Sequence, residues 1–325
     1  MDVENPKIDI AVTSPHLEID DILLLTQLEQ GGAKGKPPAG IRLKASIQAN
    51  SGKYKDIEFA HLKTVAMLEE KILYLQPLEL SAFGGHVSGK GRFDFGSNGS
   101  PRYQVSFNLD KVSAEKVAHA VGIKKQEIIG ELSMEGELTA KGKTGADIKQ
   151  TALGSVKFTI EDGSLRRFAT LSKIFSLLNV SQLLKLQLPD MVSGGMPFNA
   201  ITGSIAIRDG IVSSNDLFVD SDAMNISAVG KLDMVKEELD ATIGVQPLQT
   251  VDRVVSRIPI VGWILTGKDR TLITAYFEAK GKVDDPKVSA IPVKSMAKGV
   301  FDIFKRVFEL PGKLFTDTGE VIIGK

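Results

Sequence analysis

Four histidines, His16, His61, His86 and His119, are the side chains best suited to general base catalysis or metal ligation. Each stands in a different stretch, with no second histidine or carboxylate at ligand spacing, which describes structural or surface histidines. Asp9, Glu18, Asp94, Glu131 and Asp233 alternate with apolar residues, the pattern of a wetted sheet face rather than of a paired acid and base. No serine sits in a hydrolase elbow. Gly194-Gly195 runs into Met196-Pro197-Phe198 instead of the Lys-Ser or Lys-Thr of a phosphate loop. Cysteine is absent, which removes disulfides, zinc–thiolate sites and thiol nucleophiles. No enzyme, metal or cofactor is expected.

Forty basic and forty acidic residues cancel in 325, whereas a dedicated nucleic-acid binder would carry a basic excess. No run approaches the roughly 18 apolar residues of a membrane span. Residues 1–30 lack the basic start and apolar core of a signal peptide. Met1 runs directly into a strand pattern, which predicts a chain that begins inside a longer protein.

The elements that must position any site are strands. Period-two alternation starts at Lys7-Ile8-Asp9-Ile10-Ala11-Val12 and resumes at Ile41–Ile47 after a flexible stretch at Gly31–Gly40. It continues through residues 57–62, 72–80, 87–95, 102–109, 128–140, 155–160, 204–207, 217–219, 225–232, 238–245 and 272–281. Outward positions are Lys, Asp, Glu, Thr or Ser, and inward ones Ile, Val, Leu or Phe. A sheet with one wet face must cover the other with a second sheet, a helix or a ligand. Gly154–Gly163 and Gly203–Gly210 share a glycine followed by an alternating strand and an Asp-Gly turn, a sign of a repeated unit that stacks on its neighbours.

Helical spacing interrupts the strands at Ser113–Val121, capped by Ser113 and closed by Gly122, at 168–187, and at Val251–Ser256 before Pro259. A last helix from Pro292 or Ser295 to Pro311 carries Met296, Val300, Phe301, Phe304, Val307 and Phe308 on one broad face. Six basic residues lie between Lys287 and Lys313, among them Lys294, Lys298, Lys305 and Arg306, against Asp302 and Glu309. Such a segment either lies in a lipid interface or caps the end of the sheet. Trp263, within the apolar run Ile258–Leu265, poses a similar choice between core, groove plug and interface anchor.

Three segments resemble the AsmA-like superfamily. Gln76–Gly91 has its apolar-strand, Gly-Gly, small-residue pattern. Residues 154–247, with Ile160-Glu161-Asp162-Gly163, Leu188-Pro189-Asp190, Met196-Pro197-Phe198 and Val245-Gln246-Pro247, are similar to the C-terminal region of the YhdP type. Ile258–Gly262 and Gly281–Val288 extend the likeness. The resemblance implies a bridge-like lipid transfer protein in the periplasm of a diderm bacterium, with an inner-membrane helix, a long groove and a far end near the outer membrane. This chain shows no such helix and would be a C-terminal piece or a short member.

The expected fold is therefore an elongated, twisted antiparallel β-sheet groove over residues 1–291, with helical insertions near 113–121, 168–187 and 251–266. An amphipathic helix and tail follow over 292–325. Strand parity nominates Ile8, Ile10, Ile41, Leu43, Phe93, Phe95, Phe158, Ile160, Ile205 and Ile207 as the lining. Trp263, Lys294, Met296, Lys298, Val300, Phe301, Phe304, Lys305, Arg306 and Phe308 are nominated as membrane contact or groove cap. The expected partner is a phospholipid or another acyl-chain lipid, held without catalysis, plus an unidentified envelope protein. The alternative is a scaffold whose apolar face packs entirely on itself.

Overall fold

The computed structural model describes residues 7–21, 42–96, 99–123, 128–166, 173–174, 195–248, 263–266 and 272–309. The chain is mostly strand, and the strands form one twisted, unclosed sheet. In chain order they are β1 (Lys7–Glu18), β2 (Arg42–Tyr54), β3 (Ile57–Glu69), β4 (Ile72–Ala82), β5 (Gly85–Asp94), β6 (Arg102–Ser113), β7 (Ile128–Lys141) and β8 (Leu153–Leu165). There follow β9 (Met196–Arg208), β10 (Ile211–Asp220), β11 (Met224–Asp233), β12 (Glu238–Pro247), β13 (Trp263–Thr266), β14 (Leu272–Lys282) and β15 (Lys287–Ala290).

From β1 to β12 each strand pairs with its sequence neighbour. Short Asp, Gly and Glu turns at positive φ, such as Asp209-Gly210, join several of them. β14 then joins β12, and β13 and β15 both pair with β14. The pairing is antiparallel with one exception that alternation could not reveal: β1 runs parallel to β2, from Lys7 opposite Arg42 to Glu18 opposite Lys53. Period-two spacing is the same for either direction, and a parallel pair needs a crossover rather than a hairpin. Residues 263–266, expected within a helical insertion, are a strand instead. The remainder of that insertion, and all of 168–187 except 173–174, lies outside the described residues.

Register shifts recur along the sheet, between Leu75 and Leu78, Leu109 and Val112, Ile129 and Glu131, and Ser213 and Phe218. Bulges of this kind bend a sheet and increase its twist.

Two short helices decorate the strand ends. α1 (Ala114–Ala120) starts at Ser113, whose hydroxyl accepts from the Lys116 amide, and Gly122 follows its end at φ 89°. α2 (Gly145–Thr151) has a capping box between Thr144 and Asp147, and the amide hydrogen bonds from Lys143 and Thr144 hold the Asp147 carboxyl below its usual range. The terminal helix α3 (Lys298–Glu309) follows a single 3₁₀ turn at Val293–Ser295.

α3 packs against β10 and β11. Phe304 is fully buried, edge-on to Tyr276 at 5.2 Å and stacked on Phe308, and Phe308 meets Phe218 at 6.4 Å. Beneath the two rings lies Gly244, where an added Cβ would fall 2.9 Å from Phe308 and 3.0 Å from Phe304. Ser227, Gly244 and Tyr276 are directly opposed across β11, β12 and β14, so two small residues open the slot that Phe304 fills. Burial pushes the Tyr276 phenol up to about 12.

Truncation of Phe304 to Ala is expected to cost about 3–5 kcal/mol of helix docking. In hydrogen exchange, amides 298–309 lose protection while those of β2–β8 keep theirs. Because the folded state holds the Tyr276 proton more tightly than the unfolded chain, stability falls as pH rises between about 10 and 12. Tyr276→Phe flattens that decline, as denaturant titrations across the range would record.

Candidate functional site

Directly opposed residues of neighbouring strands project to the same face, so the register can be followed side chain by side chain across the sheet. One line runs Ile10, Ala45, Ala66, Leu75, Gly91, Val105, Leu138, Gly154, Ile207, Val212, Leu232, Leu239 and Gly281. Every position is aliphatic or glycine. At about 4.8 Å per strand the line is roughly 58 Å long. A second line, Val12, Ile47, Thr64, Leu78, Gly89, Phe107, Gly136, Val156 and Ile205, carries a single hydroxyl. Thr64 Oγ1 is buried there without a hydrogen-bond partner. A third joins Val112, Leu132, Ile160, Ile201, Val219, Ile226, Val245 and Ala275.

The opposite face is polar along matching lines. Thr13, Gln48, Lys63, Glu79, Ser88, Asn108, Glu135, Lys157 and Ser204 are opposed in sequence across β1–β9. Cross-strand ion pairs join Arg42 to Glu69 at 3.5 Å, Lys111 to Glu131 at 3.4 Å and Lys282 to Glu238 at 3.4 Å. Exposed pairs of this kind add little stability. They wet the face.

The register places Ile8, Ile10, Leu43, Phe93, Phe158, Ile160, Ile205 and Ile207 together on the apolar face. Phe95 lies just past β5 and is 52% exposed, and Ile41 is outside the described residues. Burial changes along the sheet. Ile8 and Ile10 are each 44% exposed, while Val245 and Ala279 are fully covered. Between those extremes, Leu43, Phe93, Phe158, Ile205 and Ile207 are half-buried.

Part of the cover comes from the chain itself. Ile174, between β8 and β9, is completely buried in the same cluster as Leu165, Met196, Val245 and Phe277. Its neighbour Lys173 donates to Asp285 Oδ1 at 2.5 Å and to the Pro286 carbonyl at 2.6 Å. That ammonium holds the Asp285 carboxyl below its usual range. Residues 173–174 thus span from β8 to the turn after β14. Val117 of α1 packs on the same cluster.

Phenylalanines on this face lie over glycines. A Cβ at Gly52 would meet the Phe59 ring at 2.4 Å, one at Gly163 the Phe198 ring at 2.4 Å, and one at Gly136 the Phe107 ring at 2.9 Å. A ring laid across a missing side chain stays close to the sheet.

Of the nominated C-terminal residues, Phe304 and Phe308 bear on the polar side of the sheet through Tyr276 and Phe218, away from the apolar lines. Val300, Phe301 and Met296 are half-buried, and Lys294, Lys298, Lys305 and Arg306 are exposed. Trp263 is opposite Ala275 in β14. Sequence reasoning did not identify Phe218, Ser227, Gly244 or Tyr276. The available signal was the lack of charge at outward positions Ser227 and Gly244.

His16 is not isolated, since Nε2 lies 2.8 Å from Glu18 Oε1 and Nδ1 2.9 Å from Ser51 Oγ. The Ser51 hydroxyl, however, donates to the Pro15 carbonyl at 3.0 Å. The histidine and carboxylate side chains are 53% and 42% exposed, on an edge strand without a cleft. Nothing there excludes water or holds an oxyanion. Among the described residues no group of three His, Asp or Glu side chains could hold a metal.

The gradient along the apolar face predicts unequal costs for the same charge. Ile10→Asp should change unfolding free energy by under about 1 kcal/mol. Val245→Asp, which buries an unpaired carboxylate, should exceed about 4 kcal/mol or prevent folding. Equal effects in chemical denaturation would contradict an exposed β1 end.

The family model described as YhdP protein matches residues 7–288. No curated protein and no solved structure matches the chain. The fitted residues contain every apolar line traced above and end before α3.

Proposed function

The chain belongs to the YhdP family, and from that premise we propose that it carries phospholipid acyl chains, without catalysis, along its apolar face between the inner and outer membranes of a diderm envelope. The observation that carries this proposal is the line from Ile10 to Gly281, thirteen strands without a polar side chain. Each methylene shielded from water is worth about 0.8 kcal/mol. A long row of similar aliphatic contacts therefore removes most of the cost of moving a chain through the periplasm. Sites of near-equal affinity leave no deep trap.

In this scheme Ile8, Ile10, Leu43, Phe93, Phe158, Ile205 and Ile207 contact acyl chains, and headgroups face water beyond the strand ends. The exposed Lys294, Lys298, Lys305 and Arg306 approach anionic headgroups at the membrane. No helix among the described residues is long and apolar enough to cross a bilayer.

A second reading has its own support. From β9 to β14 the apolar face is already filled, with Met196, Phe198, Ile201, Ile226, Val245 and Phe277 all under 5% exposed. A scaffold that assists outer-membrane assembly by binding an envelope protein would need no more. The two differ in occupancy. Purified protein should retain co-extracted phospholipid and be labelled by a photoreactive fatty acid along β1–β5. Ile10→Asp combined with Leu43→Asp should lower retained lipid at least threefold without unfolding the sheet. A parent protein with neither retained lipid nor label would reject carriage in favour of the scaffold.

A further inference from the structure

The buried apolar residues fall into two clusters that share no buried member. Ala49, Phe59, Leu62 and Ala82 form one, and residues from Leu109 to Ala279 form the other. Only partly buried Phe83 and Val87 touch both. At this seam the strand ends open into a recess of about 1110 Å³, bounded by the β2–β3 turn, the β4–β5 turn and α1. Its floor is Phe59, Ala82 and Phe83, continuous with the apolar face. Its rim carries Lys55 and Lys116 together with Asp56, Glu58 and Glu115.

None of these five charges belongs to an ion pair among the described residues. Lys55 rests its ammonium 5.4 Å from the Tyr54 ring, a contact that leaves it free to bind an anion as well. Two lysines against three carboxylates give a rim of −1 when the nearby His86 and His119 are neutral. Unpaired charges of both signs around an apolar floor complement a molecule that has a cation, an anion and a hydrocarbon part.

We propose that this recess is a lateral mouth of the groove that seats the headgroup of a zwitterionic glycerophospholipid. The phosphate faces Lys55 and Lys116, the ammonium faces Glu58 and Glu115, and the acyl chains turn inward over Phe59 and Ala82. An anionic headgroup without an ammonium would meet three carboxylates against two lysines and is disfavoured. The assignment rests on the lipid-carrying function proposed above and adds to it a point of entry and a headgroup preference.

A photoreactive amino acid at Ala120, on the exposed rim, reports the mouth, and one at Leu68, on the exposed part of the apolar face, reports the groove. Each protein is incubated at pH 8 with vesicles of phosphatidylethanolamine or phosphatidylglycerol in a neutral lipid background, and crosslinked lipid is counted by mass spectrometry. Labelling at 120 is expected to favour phosphatidylethanolamine at least fivefold. Lys55→Glu with Lys116→Glu, both at exposed positions, should lower it at least fivefold. Labelling at 68 by a photoreactive fatty acid, which lacks the headgroup, stays within twofold in that variant.

Equal labelling at 120 by the two phospholipids, an unchanged signal in the double variant, or crosslinks at 120 to protein in place of lipid would overturn the mouth while leaving a labelled groove intact. Absence of label at 68 in the parent would instead remove the carrying function on which the mouth depends. Ala120→Trp supplies a steric version of the test: it should slow labelling at 68 by phosphatidylethanolamine several-fold without slowing the fatty acid.

Discussion

The structure depends on one geometric constraint, that directly opposed residues of paired strands share a face. A one-residue slip anywhere would turn Lys63, Glu79 or Lys157 onto the apolar side and expose Thr64, Leu78 and Val156 in their place. The sheet changes parity without breaking this rule because either neighbouring strands change together or a bulge in one strand takes up the extra residue. On β2 the covered positions pass from Ala49 to Gly52, and on β3 from Leu62 to Phe59, around His61 at φ 54°. On β6 they pass from Leu109 to Val112, around Lys111 at φ 54°, while β7 keeps its parity from Met134 to Leu132 and the extra residue on β6 forms a bulge. Irregularity taken up in either way bends the sheet and keeps its two faces chemically separate.

A single sheet has no second layer to cover its apolar face, and the chain solves that problem differently at its two ends. Toward β14, Ile174, α1 and the bend of the sheet close over the aliphatic lines, and the Lys173–Asp285 pair fixes the strap. Toward β1 the same lines stay half open to solvent. Exposed contiguous apolar surface on this scale marks an interaction site in soluble proteins. Phenylalanine laid over glycine supplies apolar area close to the sheet in this setting.

Much of the fold was legible because period-two alternation is a direct imprint of the two faces. The candidate lining followed from parity alone, and eight of its ten members share a face through the register. What alternation could not carry was direction and depth. Lys7–Val12 reads the same whether β1 lies parallel or antiparallel to β2. Ile8 and Ile160 look equivalent in sequence, yet one is 44% and the other 6% exposed, because cover is supplied by residues far away in the chain. The capping box at Thr144 and Asp147 is legible in the sequence as Thr-x-x-Asp. The pairing of His16 with Glu18 was likewise visible, since residues two apart on a strand point the same way.

The terminal helix shows why amphipathicity does not by itself decide between membrane and protein. Phe301, Phe304 and Phe308 would suit an acyl boundary, but Ser227, Gly244 and Tyr276 form a slot fitted to Phe304, and the ring is fully buried in it. Release into a bilayer would exchange that packed site for lipid and expose Tyr276, Phe218 and the floor at Gly244 to water. With Phe304 docked, the exposed lysines and Arg306 remain able to meet headgroups, and the apolar lines on the other face are untouched. Packing of α3 and the apolar lines thus lie on separate sides, because the sheet between them keeps its two faces chemically apart.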